Sequence, residues 1–132
     1  MLVKVKQRLP DDQEDVVYRV IGCGIEVHRE LGPGFKERIY AEAFHLELHG
    51  AGLKFEREKR IEVKYKSWSI PGQQIDLIVE GIVLVEIKAV SRLKALHKSQ
   101  VISYLKTTKL PVGLLMNFNS RRLKDSMDRI VV

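Results

Sequence analysis

Two periodicities divide the chain. Between residues 15 and 31, apolar side chains recur at Val17, Ile21 and Ile25, and His28 and Leu31 continue the stripe, which is the spacing of one helix face. The acidic cluster Asp11, Asp12, Glu14 and Asp15 follows Pro10, where a helix N-terminus favours negative charge. Gly-Pro-Gly at 32–34 ends that helix. A second helix spans residues 37–49, buries Tyr40, Ala43, Phe44 and Leu48, and stops at Gly50 or Gly52. The period then falls to two. Ile61, Val63 and Tyr65 alternate with Glu62, Lys64 and Lys66, the pattern of a half-exposed strand. Pro71-Gly72 predicts a break, residues 74–79 the next strand, and Gly81 a tight turn. IVLVEIKAV, residues 82–90, reads as a buried strand. Residues 91–108 predict a third helix with Leu93, Leu96, Val101, Tyr104 and Leu105 as its apolar set. VGLLMNF after Pro111 is a further strand, and RRLKDSMDRIVV a helical turn followed by a short edge strand. Helix, helix, three strands, helix, strand is an α/β order, a mixed β-sheet flanked by α-helices.

Charge interrupts the most apolar strand. Glu86 and Lys88 lie two residues apart, so they share one face of it. Burying either without a partner is costly. Counted outward from Gly81, Asp76 falls opposite Glu86 within about one residue of register, and directly opposed side chains have Cβ atoms ~5 Å apart. Two such carboxylates repel unless a cation sits between them. Hard oxygen ligands suit Mg2+ or Mn2+, which take one or two carboxylates and keep waters for substrate phosphates. A lysine beside that metal can orient or deprotonate a water, or stabilise charge developing on a phosphate. These are the pieces of a metal-dependent phosphodiesterase. A plain structural arrangement uses the same residues: Glu86 pairs with Lys88 at a strand end and Asp76 caps a turn.

The 132 residues suit one domain over residues 1–132, with 1–14 as an N-terminal extension. A net charge of +6 favours an anionic partner. No apolar run approaches the ~20 residues of a membrane span, and the first residues lack a signal-peptide core. The single Cys23 cannot form an internal disulfide, which fits a reducing cytoplasm. Flanked by Gly22 and Gly24, it reads as a packing residue in a helix that something approaches closely. Among the basic groups, Arg92, Lys94 and Lys98 follow the charged strand and can contact phosphates flanking a scissile one. No aromatic stacking platform and no base-reading helix stands out, so sequence specificity should be weak. His45 and His49 lack a further ligand for a metal site and read as surface residues. His28 reads either as a core residue or as one that reaches the site.

Asp76 followed by Glu86-Ile87-Lys88 after a hairpin resembles the signature of the PD-(D/E)XK nuclease superfamily. IEVHRELGPGFKERIYAEAF resembles the hallmark of the small GxxExxY protein family placed in that superfamily, with Gly34, Glu37 and Tyr40 at its named positions. DLIVEGIVLVEIKAV, HKSQVISYLK and VGLLMNFNSRRLKD extend the likeness from about Val17 to Val132. The resemblance implies a PD-(D/E)XK nuclease-like (restriction-endonuclease-like) fold, with Asp76 and Glu86 binding metal and Lys88 as the catalytic lysine. It also matches Glu26 to a first-helix metal-binding Glu, and Gln100 to a Gln on the helix after the catalytic strand. Ile75 stands where the signature has Pro. The expected activity is Mg2+- or Mn2+-dependent hydrolysis of phosphodiester bonds in nucleic acid, DNA first, with low sequence specificity. The alternative is a non-catalytic nucleic-acid-binding or protein-interaction module on the same fold. Assembly as a homodimer is left open.

Overall fold

The computed structural model describes residues 8–132. Its elements are α1 (Asp11–Leu31), α2 (Glu37–Gly50), β1 (Phe55–Tyr65), β2 (Trp68–Val79), β3 (Val83–Lys88), α3 (Ala95–Thr108), β4 (Val112–Asn117) and β5 (Met127–Ile130), with a 3-10 turn over Leu123–Ser126. The five strands form one sheet in the order β1-β2-β3-β4-β5. β3 and β4 run parallel, and the other neighbours are antiparallel. The parallel pair needs a crossover, and α3 supplies it.

Several element bounds differ from the sequence reading, β1 starting at Phe55 rather than Ile61 among them, and three have a clear local reason. α1 begins at Asp11 rather than residue 15, because Pro10 already holds the φ of −55° that starts a helix and Asp11, Asp12 and Glu14 favour its first turn. Glu14 accepts two hydrogen bonds from the Arg129 guanidinium, at 2.8 and 2.7 Å, and these hold its carboxyl down at about 2. That clasp ties the start of α1 to β5. Of the extension expected over residues 1–14, residues 1–7 lie outside the described residues. α3 begins at Ala95 rather than residue 91. The buried Asn117 side chain takes both the N–H and the C=O of Val90, at 3.0 and 2.9 Å, so the chain leaves β3 without turning helical. Pro71-Gly72 does not end a strand. β2 continues through it as a bulge where the register with β1 shifts. Proline is tolerated there because β3 pairs with residues 77–79, so among the described residues that side of β2 has no ladder to interrupt.

The sheet has a core on each face. Under α1 and α2 lie Val20, Tyr40, Phe44, Leu77, Val85 and Ile87, with the free thiol of Cys23 buried among them. Under α3 lie Ile75, Leu84, Val101, Tyr104, Leu105 and Leu115. His45, expected at the surface, is buried and stacks on Phe55 with ring centroids 5.5 Å apart. Two glycines allow close approach. A Cβ at Gly24 would stand 3.1 Å from Met116 Sδ, and one at Gly113 only 2.7 Å from Val101 Cγ1. Gly113→Ala is therefore expected to destabilise by ~1–3 kcal/mol through overpacking, seen as a lower urea midpoint. A midpoint equal to wild type would mean that α3 does not sit this close to β4.

Candidate active site

The site forms where β2 and β3 part. A turn with left-handed Glu80 and Gly81 (φ 55° and 65°) sets the pairs Val79–Val83, Ile78–Leu84 and Leu77–Val85. The same register carried one step further sets Asp76 across from Glu86. In that gap side chains replace the backbone ladder. The Ile87 N–H donates to Asp76 Oδ2 at 2.8 Å, and the Asp76 N–H faces Glu86 Oε1 at 3.5 Å. On the other side of β2 the ladder skips Glu58, whose φ of 51° is left-handed, an uncommon state for a residue with a side chain. That residue reverses the alternation of β1. Arg57 bonds Glu42 of α2 at 2.8 Å, whereas Ile61, four residues on, packs beneath α3.

Asp76 stands at this crossing, so the fork opens toward both faces of the sheet. The cleft on the α2 side is lined by Glu37, His45, Glu58, Asp76 and Ile87. The cleft on the α3 side is lined by Gln73, Lys88, His97 and Gln100. Lys88 Nζ lies 3.6 Å from Glu86 Oε2 and donates to Gln100 Oε1 at 3.3 Å.

Burial dominates the electrostatics. Glu86 is 4% exposed, and burial, then the neighbouring Asp76 charge, push its carboxyl up to about 8. Asp76 is raised by burial, against the lowering pull of the Ile87 N–H and Lys88. Glu37 is raised by burial and then by Asp76. Beneath them, burial and then the charge of Glu86 push the Tyr104 hydroxyl up to about 12. Three carboxyl groups thus share the lowering influence of one ammonium, that of Lys88. Hard oxygen donors short of positive charge are the donor set that Mg2+ or Mn2+ fits.

The other expected residues fall as follows. Glu26, expected as a further metal-binding carboxylate, faces Arg29 on α1 with oxygens 2.7 and 2.8 Å from Nη2. The guanidinium one turn on takes both carboxylate oxygens. Among the described residues, no three His, Cys, Asp or Glu side chains gather as a metal-holding group, Glu26 with Asp76 and Glu86 included. The first-turn acid that reaches the cleft is Glu37 of α2. Tyr40 explains its aim, since the hydroxyl donates to Gly32 O at 2.6 Å and accepts from the Phe35 N–H at 3.2 Å. It thereby fastens the loop that leads into α2. His28 is a core residue, with Nε2 2.7 Å from Ser120 O. Arg92 and Lys94 lie exposed between β3 and α3, and Lys98 on α3 is 3.9 Å from Asp128.

The family model of the PD-(D/E)XK nuclease superfamily matches residues 14–130. No curated protein and no solved structure matches the chain. Among the described residues, no helix is long and apolar enough to cross a membrane. The match takes in every strand of the mixed sheet and the fork that carries Asp76, Glu86 and Lys88, and on that extent the chain belongs to the PD-(D/E)XK nuclease superfamily.

Proposed function

We propose that the protein is a metal-dependent nuclease that hydrolyses phosphodiester bonds in DNA with low sequence specificity. The observation that carries this reading is the Glu86 carboxyl, buried at the end of β3 beside Asp76 and 3.6 Å from the Lys88 ammonium. A strand end that served packing alone would place an apolar residue there, because burying a carboxyl destabilises the fold. A strongly raised carboxyl beside a cleft fits a working site.

Asp76 and Glu86 would hold Mg2+ or Mn2+, and Glu37 lines the α2-side cleft with Asp76. When bound, the ion supplies positive charge to the scissile phosphate and lowers the pKa of a water. Lys88 points its ammonium at the same place, where it orients the attacking water or offsets charge growing on the phosphate. Gln100 positions Lys88 through the 3.3 Å hydrogen bond. Arg92, Lys94 and Lys98 meet phosphates flanking the scissile one, contacts that hold any sequence equally well. A reducing cytoplasmic setting fits Cys23 as a free buried thiol.

The test is incubation of the purified protein with linear, branched and single-stranded DNA in Mg2+ or Mn2+. Cleavage that EDTA stops is the expected outcome. Binding without cleavage on every substrate would instead favour the non-catalytic module.

A further inference from the structure

β1 and β2 run well past the rest of the sheet. Because β3 pairs with residues 77–79, residues 59–74 stand out as a two-stranded ribbon that turns at Lys66-Ser67. One face of its tip is apolar and open to solvent. Tyr65 and Trp68 are direct cross-strand partners, and Val63 and Ile70 pair one step behind them. Directly opposed residues share a face, so these four side chains form one patch. Tyr65, Trp68 and Ile70 are 57%, 69% and 50% exposed. The alternation carries that face down to Ile61, which packs beneath α3, so the tip and the Lys88–Gln100 cleft lie on the same side of the sheet. Gln73 joins them, lining both that cleft and the hollow at the base of the ribbon.

The charge around the patch selects its occupant. Lys59 shares the face of the patch and pairs with Glu56 at 3.3 Å, Arg60 and Lys64 stand with Glu62 on the reverse of the ribbon, and Lys66 Nζ at the turn sits 5.4 Å from the centre of the Tyr65 ring. A second copy of the ribbon would bring two such sets of cations together, which repel. A nucleic acid strand brings phosphates to the cations and flat bases to the rings.

We propose that the ribbon tip docks the unpaired bases of a nucleic acid strand, one base stacking on Trp68 beside Tyr65. Lys66 at the turn and Lys64 on the reverse of the ribbon meet the adjoining phosphates. No stacking platform is legible in the sequence because a turn separates Tyr65 from Trp68, and only the fold makes them cross-strand partners. The inference rests on the nuclease reading for its choice of nucleic acid, but not on cleavage. Duplex DNA keeps its bases stacked on one another, so the tip favours single strands, frayed ends and branch points.

Trp68 is the only tryptophan of the chain, so its emission reports the contact directly. In EDTA, oligothymidylate should quench wild-type emission, and a blunt duplex should not. Trp68→Ala should weaken oligothymidylate binding ~5- to 150-fold, the range for one stacked base, and Trp68→Phe should recover most of it. Lys66→Ala should lower the slope of log affinity against log salt by ~0.7. Absent quenching, equal quenching by the duplex, or equal affinities of Trp68→Ala and wild type would each overturn the proposal. So would sedimentation showing that Trp68→Ala splits a dimer while DNA affinity is unaltered, since the tip would then pair with a second copy. EDTA stops cleavage, so quenching by a protein that never cuts DNA refutes the nuclease reading alone.

Discussion

Lys88→Ala should slow DNA cleavage by ~10²–10³, the usual loss when one preorganised electrostatic contact to a transition state is removed. DNA affinity in EDTA should change far less, because affinity sums many phosphate contacts and Lys88 is a single, largely buried ammonium. Single-turnover cleavage and a binding titration on the same variant separate the two quantities. Equal cleavage rates for variant and wild type would remove Lys88 from the mechanism. Gln100→Ala should act in the same direction and less strongly, since Gln100 acts through Lys88. Asp76→Ala should abolish cleavage together with its dependence on Mg2+, because the ion loses a ligand that the Ile87 N–H holds in place.

The second large effect is on stability, and its sign follows from Glu86. An unfolded Glu titrates near 4.5, whereas the folded carboxyl is pushed up to about 8. Between those values the folded chain keeps a proton that the unfolded chain has released. The contribution of Glu86 to the stability of the metal-free protein is therefore fully present below about pH 4.5 and is lost as pH rises toward about 8. The loss is on the order of a few kcal/mol, at ~1.4 kcal/mol for each pH unit between the unfolded and folded values. Asp76 and Glu37, also raised, add to it in the same direction. Glu86→Gln should flatten this decline and be more stable than wild type in mildly alkaline EDTA, while losing cleavage. Mg2+ should restore wild-type stability most at the alkaline end, where the carboxylates are charged. Urea midpoints across the range, with EDTA and with Mg2+, check all three statements. Parallel profiles for wild type and Glu86→Gln would show that Glu86 is not the acid responsible.

Local rules carried much of the fold. Strand period, turn glycine and residue count are short-range quantities, so counting five residues each way from Gly81 reaches Asp76 and Glu86, the register that the strands follow into the fork. Elsewhere the deciding partner was distant. Pro71-Gly72 reads as a stop until it is known that, among the described residues, no strand pairs on that side of β2 there. Residues 91–94 read as helix until Asn117, far along the chain, takes the backbone groups of Val90. Glu26 and Glu37 are both helix acids, and nothing local says which faces the cleft. Tyr40 and the loop it fastens decide that, together with the packing of α2 against the sheet. Glu58 and Tyr104 carried no signal for the site. One reaches it through a left-handed backbone and the other through burial beneath Glu86.

β1 closes one side of the sheet, and a long open strand edge is ordinarily a template for aggregation. Here the edge defends itself. Seven of its eleven residues are charged, the left-handed Glu58 breaks its line, and the bulge beyond Ile61 bends it again. A stranger's strand would find neither a flat ladder nor a neutral face to extend. The left-handed kink at Glu58, which the β1–β2 ladder skips beside the fork, therefore also guards the open edge against a foreign strand, and straightening it would disturb fork and edge together.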